Sequence, residues 1–426
     1  MDERDLSRTT YDLAGRTVSM LDAMDEESTI AYSYSGRRGI EVGTTSNPDA
    51  DHEIAYAYDS TGRLNSVTDP QDTWTYSFVA NFKLLAQTAS TVTTVLYSYE
   101  NNRNVLTSIE NKVGTTTVSE YAYAVSRNDW EELRPTDARQ PEGCRRWASL
   151  ASTFRINQRT NRTQSGSAFA TSSDAFSYNT RGEVIGSVND QINAREFDYS
   201  YDAIGNRQLS SKAGLETTYS VNMLNQYTAI TLDGGTPSTP SSDADGNETL
   251  DGKGNQLVWD GENRLIEWKP VSPGSGDKRI VNTYDGQSRR VRKQSYTWSG
   301  SAWTLNTDQV FLYDAWNPVA VYSFHNSSFT LQTSLTWGRD LSGSMQGADG
   351  VGGLLATYNG TDARMFYDGN GNVGQVINGA NDQTVAVYEY DPFGDLVTSS
   401  GSFADVNPFK FSTKYQDGES ELYYYG

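Results

Sequence analysis

The chain has 426 residues, among them 27 tyrosines, 14 phenylalanines, 9 tryptophans and 37 glycines, and its 36% hydrophobic content is low for a compact core of that size. Its 34 basic and 54 acidic side chains leave a net charge of −20, which opposes non-specific binding to nucleic acid or anionic membranes and suits a cationic partner or a solvated acidic surface. Cys144 stands alone, excluding an internal disulfide and a cysteine metal cluster, and no apolar run approaches the roughly 18 residues of a membrane helix.

The N-terminus lacks the apolar stretch of a signal peptide and runs directly into a Tyr-Asp unit, so the chain is expected to be a piece of a longer protein. That unit, Tyr-Asp, two variable residues and Gly, stands at Tyr11-Asp12 with Gly15, Tyr58-Asp59 with Gly62, Tyr201-Asp202 with Gly205, Tyr367-Asp368 with Gly371, and Tyr390-Asp391 with Gly394. Variant copies begin at Tyr178, Trp259, Tyr284 and Tyr313, and the last three carry Asn263, Ser288 and Asn317 at the glycine position. Neighbouring copies lie about 23 to 29 residues apart, room for two strands and two turns. In each unit the tyrosine is expected to end a strand and pack its ring on that of the adjacent repeat. The aspartate should accept hydrogen bonds from turn amides, and the glycine should supply a positive φ. One unit cannot bury its aromatic face and a stack can, so the repeats predict an all-β protein of stacked β-hairpins in a continuous, coiling sheet.

Residues 127–170 lack a Tyr-Asp unit and hold eight arginines against five acids. Within them, 143–151 is expected as a short helix. Arg145, Arg146, Arg155 and Arg159 are candidate contacts for something anionic, such as an acidic polysaccharide; the other reading is a surface insertion in a degraded repeat. A binding or catalytic role predicts that these arginines converge with Tyr or His in one cleft, and a purely structural role predicts them in solvent. His52 and His325 complete the catalytic candidates, although neither has zinc-site spacing and each also fits an ordinary loop or strand position. The stretch 234–245, rich in Gly, Pro and Ser, reads as a loop, the other reading being a boundary between an N-terminal and a C-terminal half of the shell. Asp243, Asp245 and Asn247 alternate oxygen donors as a calcium loop does, but Glu248 and Gly254 stand where such a loop needs Gly and Glu, so a repeat turn is expected and no metal.

The last 39 residues are dense in aromatic residues and turn formers. Asp391-Pro392-Phe393-Gly394 and Asn407-Pro408 are turn signals. FKFSTKY alternates, so Phe409, Phe411 and, less strictly, Tyr415 are expected on one strand face.

Together, YEYDPFG, NPFKFSTKYQD and LYYYG resemble the core region that closes the C-terminal end of RHS/YD-repeat proteins. The repeat extends the resemblance over nearly the whole chain. The sequence departs from the family at Gly418-Glu419-Ser420-Glu421, a varied turn, and by stopping at Gly426 before the family's further Tyr-Asp-Pro, Gly-Arg-Trp and Asp-Pro elements. The resemblance implies strand-turn-strand units that spiral into a hollow shell. N-terminal repeats would span 1–126, an Arg-rich insertion or degenerate repeat 127–170, central repeats 171–366, and a core-like segment 367–426. It further implies a bacterial protein outside the cell or on its surface, with a structural role that encapsulates a polypeptide or makes surface contacts. The alternative is a polysaccharide lyase, hydrolase or binding protein built on the shell, with a carbohydrate partner. Self-cleavage, linked in the family to the downstream Asp-Pro element, is not expected, and neither are a toxin domain, a cofactor, nucleic-acid binding or membrane insertion. Open edge strands favour self-association.

Overall fold

The computed structural model describes residues 8–14, 16–21, 28–33, 38–44, 47–80, 82–101, 104–127, 154–165, 168–326 and 328–425. Within each sheet, every strand pairs antiparallel with its successor in sequence. Strands from Arg8–Tyr11 to Tyr227–Leu232 make an 18-stranded sheet, and those from Ser241–Ser242 to Leu396–Ser400 make a 14-stranded one. An isolated bridge between Ile230 and Ser238 carries the ribbon from the first sheet toward the second, within the loop expected at 234–245. Among the described residues the helical pieces are two 3-10 turns, Asn193–Arg195 and Phe411–Thr413.

The repeat unit builds this ribbon through its turn. Asp59 Oδ1 accepts the main-chain N–H of Thr61 (2.8 Å) and of Arg63 (3.0 Å), Oδ2 takes Arg63 Nε (2.7 Å), and Gly62 sits at φ +81°. The Thr61 hydroxyl and the Arg63 N–H groups hold the Asp59 carboxyl well below the usual carboxylate range. The same aspartate-to-amide pattern recurs at Asp12, Asp202, Asp243, Asp260, Asp285, Asp368 and Asp391. Asn263 and Ser288 take the positive φ where glycine is replaced. The Tyr313 copy is tighter, with Ala315 rather than Asn317 in that conformation, and Gly15 lies outside the described residues.

Two further features were not expected. The pairing register shifts immediately before each repeat Tyr or Trp, at Tyr11, Tyr58, Tyr178, Tyr201, Trp259, Tyr284, Tyr313, Tyr367 and Tyr390. A bulge there strengthens the right-handed twist, so every repeat adds its share to the coil. Repeats are also tied by the tyrosine hydroxyl rather than by ring-on-ring stacking. Tyr201 donates to the Val184 carbonyl (2.8 Å), Tyr284 to Leu265 (2.8 Å), Tyr313 to Arg290 (3.0 Å) and Tyr390 to Val373 (3.0 Å), in each case six residues after the preceding repeat's Tyr or Trp. Turn arginines add a second tie: Arg264 lies over the Tyr284 ring and Arg289 over the Tyr313 ring.

The ribbon folds back so that the second sheet packs on the first. Ile54, Tyr56, Leu64 and Val67 of the first meet Val310, Tyr322, Leu335 and Trp337 of the second in the main core. Strands Arg207–Lys212, Leu215–Val221 and Tyr227–Leu232 differ: of their residues only Ser211 is buried, and exposed positions alternate with half-buried ones, so this part of the ribbon is the more thinly covered. FKFSTKY does not form the expected strand. Phe409 bridges Tyr415 around a 3-10 turn, because Asn372 Oδ1 accepts the Ser412 N–H (2.9 Å) while Thr413 Oγ1 donates to the Gly371 carbonyl (2.8 Å) and accepts the Gly352 N–H (2.7 Å). The aromatic residues still pack together, Phe409 with Tyr415 and Phe411 with Tyr390.

Candidate functional site

The seam between the sheets is polar at intervals. The Tyr32 hydroxyl donates to Asp314 (3.2 Å), the Thr336 hydroxyl to Asp69, and Arg364 pairs with Asp72. Farther on, the Tyr76 hydroxyl accepts the Arg339 N–H (3.3 Å), the Tyr121 hydroxyl accepts Gln375 Nε2 (2.9 Å) and the Tyr123 hydroxyl accepts the Gly369 N–H.

Beyond these lies a cluster of five charges. Arg159, on the strand Phe154–Ser165, reaches Asp174 (3.0 Å), Asp368 (3.2 Å) and Glu389 (3.5 Å). Arg195, in the 3-10 turn, pairs with Asp174 and with Glu389 (3.3 Å), while Asn189 donates to Asp174 (2.6 Å). Arg159, Asp174 and Arg195 border a cavity of about 350 Å³ that Tyr390 and Phe411 also line. Two guanidinium groups face three carboxylates. Burial pushes the Glu389 carboxyl above its ordinary pKa, and Arg159 and Arg195 offset part of that. Burial works against the Arg159 charge, yet Glu389, Asp368 and Asp174 hold its pKa above the ordinary value. A tyrosine that abstracts a proton needs its pKa brought down toward the working pH. Burial moves Tyr121 and Tyr123 the other way. The arrangement suits a clamp that binds the sheets together.

No family model matches the chain. A curated relative, the tRNA3(Ser)-specific nuclease WapA of Bacillus spizizenii, is 27% identical over 234 residues, covering 53% of this chain and 9% of the relative. Among solved structures, the Photorhabdus luminescens Tc holotoxin pore matches 98% of this chain at 15% identity with a TM-score of 0.59, and TcdB2-TccC3-TEV matches 99% at 15% identity with a TM-score of 0.58. The chain shares the β-shell fold of these toxin chains. It spans 22% and 23% of their length and less than a tenth of the nuclease.

Of the residues singled out in the sequence, the shell brings Arg159 into the charged cluster. Arg155 stands on the same strand, paired in register with Ser126. Arg145 and Arg146, with the short helix expected around them, lie outside the described residues. His325 is exposed at the end of the strand Asn317–His325, and His52 is buried elsewhere in the seam, hydrogen-bonded to the main chain of Leu335. Neither histidine joins Arg159. Asp174, Arg195 and Glu389 were not anticipated, although Asp174 shares a strand face with Phe176 and Tyr178, and a charge on an aromatic face marks a buried pair.

His52 carries a pH prediction. Burial lowers its pKa to about 4 from an ordinary 6.5, so below pH 6.5 the unfolded chain takes up a proton that the folded chain refuses. Stability should fall by on the order of 3 kcal/mol between pH 6.5 and pH 4. Urea unfolding of the native chain and of His52→Gln at pH 7 and pH 4.5 should show the smaller loss in the variant; identical losses would exclude His52 as the cause.

Proposed function

We propose that this chain is a wall segment of an RHS/YD-repeat β-shell, outside the cell or on its surface, that encloses a polypeptide. The observation that carries this reading is a ribbon clasped to itself along one seam while the strands of 207–232 bury only Ser211. A sheet inside a solid core buries at least one face, so a stretch that buries a single residue serves as a wall. The repeat geometry supports the same assignment, because its bulges and hydroxyl ties would coil a sheet of any length. That the relatives are a nuclease and toxin chains suggests an active polypeptide as the content.

A test is to fuse an unfolded reporter polypeptide behind Gly426 and follow its cleavage by a soluble protease. Cleavage follows the population of the accessible form, and enclosure should slow it about tenfold relative to the free reporter. Equal rates would overturn enclosure.

A further inference from the structure

A cavity of about 240 Å³ opens where the C-terminal segment meets the second sheet. Trp316 and Tyr425, 47% and 57% exposed, flank its mouth, and Trp337, Phe409 and Tyr424 line its inner wall. Its depth holds donors that lack acceptors. Arg290 is 2% exposed; its Nη1 donates to Asp417 Oδ2 (2.6 Å), whereas Nε and Nη2 have no hydrogen-bond partner among the described residues. Asn317 is as deeply buried, and its side-chain NH2 is likewise unpartnered among them. Lys414, also lining the cavity, donates to the Asp349 carbonyl (2.9 Å), and burial lowers its pKa. Among the described lining residues, Asp349 is the one acid.

Of the unmet groups, those on residues that line the cavity are donors, with the Arg290 guanidinium also lying over the Phe311, Tyr415 and Tyr424 rings, so a complementary ligand brings acceptors. A guanidinium and an amide NH2 together fit a carboxylate. Exposed aromatic faces at the mouth fit a flat ring, and a space below the roughly 300–1,000 Å³ of drug-sized sites limits the ligand to one ring. We propose that this cavity binds a single carboxylated six-membered ring, a hexuronate or an aromatic acid, with the ring between Trp316 and Tyr425 and the carboxylate toward Asn317 and Arg290. The site is independent of enclosure, since it lies at the join of segment and sheet and not on the strands of 207–232.

The test is titration of the full chain with galacturonate, 4-hydroxybenzoate and glucose, followed by calorimetry and tryptophan fluorescence. At least one acid should bind saturably and glucose about tenfold more weakly or not at all; which acid binds identifies the source of the carboxylate. Asn317→Asp, which turns the donor into an acceptor at constant shape, should weaken binding about tenfold when titrated at a temperature where the variant is folded. If that variant does not fold, the exposed Trp316→Ala carries the test and should weaken binding similarly. Binding of neither acid, equal binding of glucose, or unchanged affinity in the folded variants would overturn the proposal.

Discussion

Replacing Arg159 by methionine is expected to destabilise the shell by about 3–5 kcal/mol, because the buried carboxylates of Asp174 and Asp368 and the half-buried one of Glu389 are left with Arg195 as the remaining cation of the cluster. The deficit should depend on pH in a defined direction. Burial already raises the Glu389 pKa, and loss of Arg159, which lowers it, should raise it further. A carboxyl whose folded pKa lies above its unfolded value favours folding below that unfolded value, and the contribution is lost as pH rises through the folded pKa. The penalty in Arg159→Met should therefore be largest near pH 8 and shrink toward pH 5. Urea unfolding at both values, with native chain and variant side by side, measures it. A deficit that is constant with pH would mean that Glu389 does not carry the uncompensated charge. Arg195→Met should act in the same direction, and the double variant should not be additive, since both arginines serve Asp174 and Glu389.

How much of this could be read from the sequence depends on the distance over which each feature is determined. The turn of the repeat is set within five residues. Asp59, Gly62 and Arg63 suffice to fix it, and their spacing alone predicts which atoms meet. The all-β ribbon follows from repetition of that turn. The tie from Tyr284 to Leu265 was hidden for a different reason: its acceptor is a main-chain carbonyl, which any residue supplies, so no residue type marks it. The alternation in FKFSTKY is a local signal, whereas the kink at Ser412 and Thr413 is imposed by Asn372, Gly371 and Gly352 from elsewhere in the chain. The charged cluster draws on residues from Arg159 to Glu389 and exists only because the ribbon folds back. Arg159 drew attention through a local excess of arginine, yet its partners are carboxylates of this chain.

The seam makes a second large effect measurable at a residue with no side chain. Gly374 lies in the strand Val373–Asn378, and a Cβ there would collide with the Tyr121 hydroxyl, which accepts the Gln375 Nε2 hydrogen (2.9 Å). The same keying recurs at Gly338 against Tyr76 and at Gly369 against Tyr123, so three tyrosines of the first sheet each rest on a glycine of the second. Gly374→Ala should cost about 1–3 kcal/mol through overpacking. Tyr121→Phe should cost about 1 kcal/mol, because buried Gln375 loses an acceptor. In the double variant the oxygen that collides with the new methyl is gone, so the combined loss should fall short of the sum by roughly 0.5–3 kcal/mol. Gly261→Ala, where an added Cβ meets nothing within 4 Å, is the control and should stay within about 0.5 kcal/mol of the native chain. Strict additivity at Gly374 and Tyr121 would mean that the two sheets do not meet there.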